Sequence, residues 1–228
     1  MVHKTLFAGM LTALGFAIAS PAHAVFIGNT QGGTDFPQGA ISFADTLISL
    51  TYTASLPSEP HRGGFNALGL PNYAGVNSCP SQAGCTFVSL GSGGSIVLRF
   101  DDNKLTGSGS NALDLWVFEV GPNVEDTFVD ISMDGVNWFA VGKVFGSTAG
   151  IDIDAFGFTA ADLFGFVRLT DDPNEVGGGS GGTVGADIDA VGAISTVPTP
   201  PNGVPEPASL ALLSIGLAGL AAMRRRKV

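Results

Sequence analysis

The stretch from Leu113 to Thr170 constrains the fold of this chain more than any other. Its first run, LDLWVFEV, alternates with the period of two that is typical of a β-strand. One predicted strand face carries Leu115, Val117 and Glu119, and the other carries Asp114, Trp116 and Phe118. Similar runs follow along the stretch, so the pattern predicts antiparallel strands.

An Asp134-Gly135 pair lies between two of these runs, Phe128–Ser132 and Trp138–Val144. Asp and Gly tolerate the positive φ angles of a tight reversal, so the pair predicts a β-hairpin. The chain has 33 glycines and only 13% charged residues, which suits a β-protein with many tight turns. We therefore predict an all-β fold, an antiparallel β-sandwich. Its further predicted strands are Ala40–Leu50, Phe87–Leu90, Ser95–Phe100 and Phe166–Thr170.

The N-terminus has the pattern of a secretory signal peptide. Lys4 provides a positive start, Leu6–Ala19 an apolar core, and Ala22-His23-Ala24 a small-x-small cleavage pattern. We predict a signal helix within residues 1–24, a mature start at Val25, and export across the inner membrane.

The body of the chain is strongly acidic. The whole chain has a net charge of −10, but the body from Val25 to Val204 holds five basic and 19 acidic residues, a balance of −14. Such a surface repels phosphate backbones and favours divalent cations, so we predict no nucleic-acid partner.

Two cysteines, Cys79 and Cys85, enclose five residues. In an oxidising compartment such a pair is expected to close a small loop as a disulfide. The alternative is a two-thiolate metal site, for which the sequence offers no accompanying histidine or further cysteine. The only histidine of the mature body, His61, lies in a loop-like segment and is expected to be solvated.

Carboxylates recur near the ends of the predicted strands. Asp152-Ile153-Asp154 is echoed by Asp187-Ile188-Asp189, and residues two apart in a strand point to the same side. Paired carboxylates repel unless a cation or a shared proton relieves them, and calcium takes about six to eight oxygen ligands. We predict a calcium site that uses some of these acids; the alternative is that all are solvated. The candidate ligands are Asp114, Glu119, Asp152, Asp154, Asp187 and Asp189.

No complete catalytic constellation is present in the sequence. The mature body has no second histidine and no free cysteine, which argues against serine and cysteine catalytic triads. The glycine-rich run from Gly177 to Gly182 lacks the Lys-Ser/Thr of a phosphate-binding loop. We predict a non-catalytic protein. The alternative is a secreted hydrolase that acts on glycans with a pair of acids. Trp116 and Trp138 are expected in the core rather than in contact with a ligand.

Five segments in this order resemble the galactose-binding-like domains of secreted bacterial proteins, relatives of discoidin-type modules. They are FVSLGSGGSIVLRF, LDLWVFEV, VDISMDGVNWFAV, FVRLTD and ADIDAVGAI, and the best local match is the S-x-D-G-x-x-W hairpin at Ser132–Trp138. The resemblance covers Phe87 to Ile194. It implies a jelly-roll sandwich, commonly with a structural calcium and often with sugar-binding loops. The cysteine pair that clamps the two ends of discoidin domains is missing here.

The composition changes after residue 195, where the predicted sandwich domain of residues 25–195 ends. Thr196–Gly203 is proline-rich and is predicted to be an extended linker. The apolar run Ala208–Met223 follows and is predicted to be a transmembrane helix, roughly 24 Å long. The basic cluster behind it favours a cytoplasmic C-terminus.

Residues 204–228 resemble the PEP-CTERM sorting signal, in which a Pro-Glu-Pro motif, a short apolar helix and an arginine-rich end stand in this order. The resemblance implies a Gram-negative bacterium that makes extracellular polysaccharide, and recognition and cleavage by an exosortase, a membrane protease. The alternative is a plain tail anchor. We therefore predict a cell-surface or matrix protein that associates with exopolysaccharide and binds carbohydrate with calcium support. The sorting-signal residues are Pro205, Glu206, Pro207, Arg224, Arg225 and Arg226.

Overall fold

The computed structural model describes residues 23–28, 33–73, 75, 79–120, 125–175 and 182–199. Residues 1–22 of the predicted signal peptide and all of the predicted sorting signal, with its transmembrane helix, lie outside this part of the chain. None of the helices in the described ranges has the length and apolarity that a membrane span requires. These helices are short 3-10 turns at Gly39–Ser42, Glu59–Arg62, Gly64–Ala67, Gln82–Gly84 and Asp154–Phe156.

The described residues form 13 strands, and every pairing between them is antiparallel. The predicted all-β fold with antiparallel sheets is confirmed. The strands are β1 Val25–Ile27, β2 Thr34–Phe36, β3 Thr46–Thr51, β4 Val88–Ser89, β5 Ser95–Arg99, β6 Asn103–Leu105, β7 Leu115–Glu119, β8 Thr127–Ser132, β9 Phe139–Val144, β10 Thr148–Ile151, β11 Phe166–Asp171, β12 Asp187–Ala193 and β13 Thr196–Pro198.

Two larger sheets enclose the main core. One has the strand order β10-β7-β12-β4, and the other has the order β3-β5-β11-β8-β9. A single buried apolar cluster takes Val117 and Val191 from the first sheet and Leu98, Ile131 and Leu169 from the second. The two sheets therefore share one core, while the jelly-roll connectivity stays a prediction.

The central strand β7 is buried on both faces. Leu115 and Val117 belong to the main core, as the alternation of the sequence predicted. Trp116 and Phe118 pack in a second apolar cluster with Phe36 and Phe43. Gly192 of β12 permits this packing, because a Cβ atom there would lie 2.7 Å from the Phe36 ring and 2.8 Å from the Phe43 ring. The predicted burial of Trp116 is confirmed.

The hairpin predicted at Asp134-Gly135 is confirmed by the pairing of β8 with β9. Gly135 has a φ of 76°. The Asp134 carboxylate accepts the backbone amides of Val136 and Asn137, each at 2.8 Å. These hydrogen bonds, together with one from the Asn137 side chain, hold the pKa of Asp134 well below its usual value.

Two predictions about strand extent were wrong. The predicted strand Ala40–Leu50 starts only at Thr46, because the 3-10 turn Gly39–Ser42 occupies its first part. The start of the predicted linker is strand β13, which pairs with β6. Proline is tolerated there because Pro198 is the last residue of a strand in a two-stranded sheet.

Trp138 is partly exposed, so its predicted place in the core was wrong. It lies in the connection before β9, where no strand pairing directs its side chain into the core. The Arg168 guanidinium carbon lies 4.6 Å from the centroid of the Trp138 ring. This distance is typical of a cation–π contact.

Asp171 ties the two sheets together. It ends β11 of the five-stranded sheet, and its side chain is only 2% exposed. Its oxygens accept the backbone amides of Gly93 at 2.8 Å and of Ala186, just before β12, at 2.7 Å. Burial raises the pKa of Asp171, while these two hydrogen bonds stabilise its charged form and lower the pKa.

We expect Leu169→Ala to lower the free energy of unfolding by about 2–5 kcal/mol, because it leaves a cavity between the sheets. The matched control is Thr170→Ala, a partly exposed neighbour on the same strand, with an expected change within about 0.5 kcal/mol. Urea unfolding followed by circular dichroism measures both. Equal effects would contradict the shared core.

Candidate metal site and buried acids

The structure divides the six predicted metal ligands into three groups. The first group is Asp114, Asp152 and Asp154, the second is Glu119 with Asp187, and the third is Asp189 alone. The sequence predicted a site that uses some of these six acids, and the structure brings three of them together.

The first group, here called the acidic site, brings one carboxylate oxygen from each of Asp114, Asp152 and Asp154 within 4.8 Å of the others. Strand pairing explains why these residues meet. Ile151, the last residue of β10, pairs with Leu115, the first residue of β7. Asp152 therefore follows β10 at the place where Asp114 precedes β7, and Asp154 begins the 3-10 turn that comes next.

Asp154 is fixed by the loop that wraps around its carboxylate. Its Oδ2 accepts the amide of Ser108 at 2.8 Å, and both of its oxygens accept the amide of Gly109 at 3.1 Å. A Cβ atom at Gly107 would lie 2.8 Å from Asp154 Oδ1, so the close approach needs glycine. Asp152 is oriented in turn, because its Oδ1 accepts the Asp154 amide at 3.0 Å.

Asp114 is the wholly buried member of the acidic site. Its Oδ2 accepts the amide of Ile153 at 3.0 Å, but its buried Oδ1 makes no hydrogen bond within the described residues. Burial raises the pKa of Asp114, and the nearby Ser195 hydroxyl, Ile153 amide and Ser108 hydroxyl lower it. A buried carboxylate oxygen without a partner is costly unless a cation or a proton satisfies it.

A surface pocket of about 260 Å³ opens beside the acidic site. It is lined by Gly109, Ser110, Asn111, Asp152, Asp154 and Ala155. The side-chain donors that meet here are all carboxylate oxygens, and oxygen is the ligand that hard divalent cations such as calcium prefer. The residues present therefore fit a hard cation, which Asp114, Asp152 and Asp154 would hold.

The second group lies at the opposite end of β7 and includes a third acid, Glu125. Glu119, Glu125 and Asp187 are all less than 5% exposed. Burial, together with the charges of Glu125 and Asp187, raises the pKa of Glu119 to about 10. Glu119 is therefore a neutral, protonated acid at pH 7. We call these three residues the buried acid cluster.

Asp187 differs from Glu119 because it has a hydroxyl partner. Burial raises the pKa of Asp187 to about 7, although the hydrogen bond that Ser89 donates to it lowers the pKa. Within the described residues, the buried acid cluster does not bring three carboxylate oxygens as close together as the acidic site does. A proton on Glu119 satisfies this cluster better than a cation.

Asp189 serves a loop rather than a metal site. A β-bulge between Ile188 and Ala190 makes Asp189 an extra residue in β12 and breaks the predicted same-side pairing with Asp187. Its carboxylate accepts the amides of Asn72 and Tyr73 at 3.1 Å. The pKa of Asp189 is raised to about 6, because the effect of burial outweighs the opposite effect of these two amides.

The predicted disulfide between Cys79 and Cys85 is present, and the structure adds a histidine to it. The expectation of a solvated His61 was wrong, because this residue is only 8% exposed. One of its ring nitrogens lies within 4.8 Å of both sulfurs. No local sequence pattern indicates this contact, because His61 precedes Cys79 by 18 residues.

We expect the stability of the folded protein to fall as the pH rises from about 4.5 towards 10. The pKa of Glu119 is about 10 in the folded state against an ordinary value of 4.5, so in this window the folded protein binds more protons than the unfolded chain. One such proton contributes a slope of up to about 1.4 kcal/mol per pH unit.

Glu119→Gln removes this titration, so the variant should show a flatter dependence of the free energy of unfolding on pH. Asp35→Asn, at an exposed aspartate of β2, is the control and should keep the wild-type slope. Denaturant unfolding at several values between pH 5 and pH 8 measures the slope. A Glu119→Gln slope that equals the wild-type slope would show that Glu119 is ionised in the folded state.

Comparison with solved structures finds similarity to the C-terminal domain of a chitobiase from Bacteroides fragilis. The identity is 12%, the TM-score is 0.39, and the match covers 71% of this chain and 98% of that chain. A TM-score of this size carries no argument, so the resemblance to galactose-binding-like domains stays a prediction. No curated protein matches the chain.

Comparison with protein families identifies the C-terminal segment. Residues 203–227 match the model of the PEP-CTERM protein-sorting motif, which confirms the predicted sorting signal. The motif implies export through an exosortase system and membrane passage towards the cell surface. The chain thus joins a PEP-CTERM sorting motif to a body of antiparallel β-sheets.

Proposed function

We propose that this protein is a non-catalytic component of the cell surface or extracellular matrix, sorted by an exosortase and stiffened by calcium. The observation that carries the proposal is the sorting motif at residues 203–227. An exosortase substrate is delivered outward, where a disulfide such as the one that closes the Cys79–Cys85 loop suits an oxidising environment.

The acidic site supports the calcium part of the proposal. Asp114, Asp152 and Asp154 would hold the ion, and Asp114 Oδ1 would gain the partner that it lacks among the described residues. Bound calcium would connect the start of β7 to the end of β10 and the turn that follows it. The ion supplies structural cross-linking here and no reaction step.

The burial of the acids supports a non-catalytic role. A glycoside hydrolase needs two carboxyl groups that face each other across an accessible sugar. Glu119 and Asp187 are 2% and 4% exposed, so a polysaccharide chain does not reach them. Asp171 and Asp189 are equally buried and are held by backbone amides.

The outer face of the five-stranded sheet supports an association with exopolysaccharide. Phe128 on β8 is 42% exposed, and Trp138 is partly exposed beside Arg168 of β11. Aromatic faces and a neighbouring guanidinium provide apolar stacking surface and hydrogen-bond donors for sugar rings. We propose this face as the surface that contacts the matrix polymer.

Calcium at about 100 times its Kd should stabilise the full chain by about 2.7 kcal/mol, which raises the Tm of a protein of this size by about 5–10 °C. Asp152→Asn should abolish the shift, because it removes a charged ligand on the pocket side. The variant leaves the hydrophobic core unchanged. Asp35→Asn, at an exposed acid in β2, should keep it. Thermal melts with calcium and with a chelator make the measurement, and a chelator-insensitive melt would refute the calcium site.

Glu206→Ala should block sorting, because it removes the charged residue between the two prolines of the motif. In a host with the matching exosortase, we expect the variant to stay at its unprocessed mass in the membrane fraction while the wild type is processed and released. Asp35→Ala, at an exposed residue outside the motif, is the control. Immunoblots of cell fractions measure both. Normal release of the Glu206→Ala variant would contradict the proposed sorting.

A further inference from the structure

The disulfide and His61 form a small site that is separate from the acidic site. One ring nitrogen of His61 and the sulfurs of Cys79 and Cys85 lie within 4.8 Å of one another. His61 belongs to the 3-10 turn Glu59–Arg62, and Cys85 directly follows the turn Gln82–Gly84. A hydrogen bond of 2.7 Å from the Gln82 side chain to Glu59 holds the two turns together. The three side chains therefore meet because two turns are docked.

The surroundings of His61 leave one ring nitrogen available. Its Nδ1 lies 2.7 Å from the Ser58 hydroxyl. Its Nε2 is buried and has no hydrogen-bond partner within the described residues. An unsatisfied buried nitrogen is costly, and histidine commonly avoids this cost by binding a metal through the second nitrogen.

The site is shielded from water on the histidine side. A Cβ atom at Gly182 would lie 2.9 Å from both His61 Cε1 and the Ser58 hydroxyl, so the backbone passes close over the ring. The ring of Phe87 packs at 5.4 Å between centroids on another side, and Cys85 is only 6% exposed. Such a low-dielectric pocket strengthens the attraction between thiolates and a cation.

We propose that the reduced form of this site binds one zinc ion through the sulfurs of Cys79 and Cys85 and Nε2 of His61. Two thiolates and one imidazole are the ligands that zinc selects, and a water molecule completes a four-coordinate site of this kind. Ser58 acts as an orienting partner at 2.7 Å from Nδ1, because in the tautomer with Nδ1 protonated its hydroxyl would accept the Nδ1–H and leave the Nε2 lone pair for the metal. The proposal is independent of sorting and of calcium.

The chemistry balances with a dithiol as the reductant. The dithiol gives two electrons and two protons, the Cys79–Cys85 bond breaks, and two thiols and a new disulfide on the reductant result. Zinc then displaces both thiol protons to solvent, while the imidazole binds in its neutral form and loses none. In the oxidised form the sulfurs are bonded to each other and no thiolate is available, so zinc does not bind there.

The test titrates the full chain in mild detergent with cobalt, as a spectroscopic probe, and then with zinc. After reduction and removal of the dithiol, we expect one cobalt per chain, a thiolate-to-cobalt charge-transfer band, and displacement by zinc. The oxidised protein should show none of these. A band of equal strength in the oxidised protein, or no band after reduction, would overturn the proposal.

His61→Gln should weaken zinc binding by about 10-fold or more, whereas Asp35→Asn, at an exposed residue of β2, should not change it. Equal zinc affinities in these two variants would refute the role of His61. X-ray absorption on the zinc-loaded wild type gives a readout that does not depend on variant folding. We expect two sulfur ligands at about 2.3 Å and nitrogen at about 2.0–2.1 Å, and a shell without nitrogen would overturn the assignment.

Discussion

The burial of β7 on both faces is the constraint on which the rest of the structure depends. Its odd-numbered apolar residues fill the core between the two sheets, and Trp116 and Phe118 fill the second cluster. A strand held in this way cannot slip by one residue, because a slip would exchange its two faces. Its register therefore fixes Asp114 at one end and Glu119 at the other, and with them the positions of the acidic site and the buried acid cluster.

The body buries several carboxyl groups, and it satisfies them in three chemically different ways. Asp171 and Asp189 accept backbone amides, which stabilise the charged form. Glu119 keeps a proton, because burial and its acidic neighbours raise its pKa to about 10. Asp114 has an amide for one oxygen only, and a proton or a cation would satisfy the other. The local supply of donors thus decides which acid is structural and which is a candidate ligand.

The sequence predicted those parts of the fold that depend on local pattern. Period-two alternation located β7, and the Asp134-Gly135 pair located the β8–β9 hairpin. Prediction from the sequence failed where contacts between distant segments decide the position of a residue. The bulge at Asp189 and the docking of His61 onto the cysteine loop depend on pairing and packing between distant segments. Trp138 was misplaced because its neighbours are apolar in sequence, although its contact is the Arg168 guanidinium of another strand.

The two candidate metal sites differ so much in chemistry that they would not compete. The acidic site offers hard carboxylate oxygens at the end of a strand pair, whereas the cysteine site offers sulfur and imidazole nitrogen. Calcium binds thiolates poorly, and zinc prefers nitrogen and sulfur to a carboxylate set. The proposed calcium site would also be independent of redox state, while the proposed zinc site would form only after the disulfide is reduced. An exported protein in an oxidising environment would therefore keep calcium as its permanent cross-link, and zinc would bind only where a reductant has opened the cysteine loop.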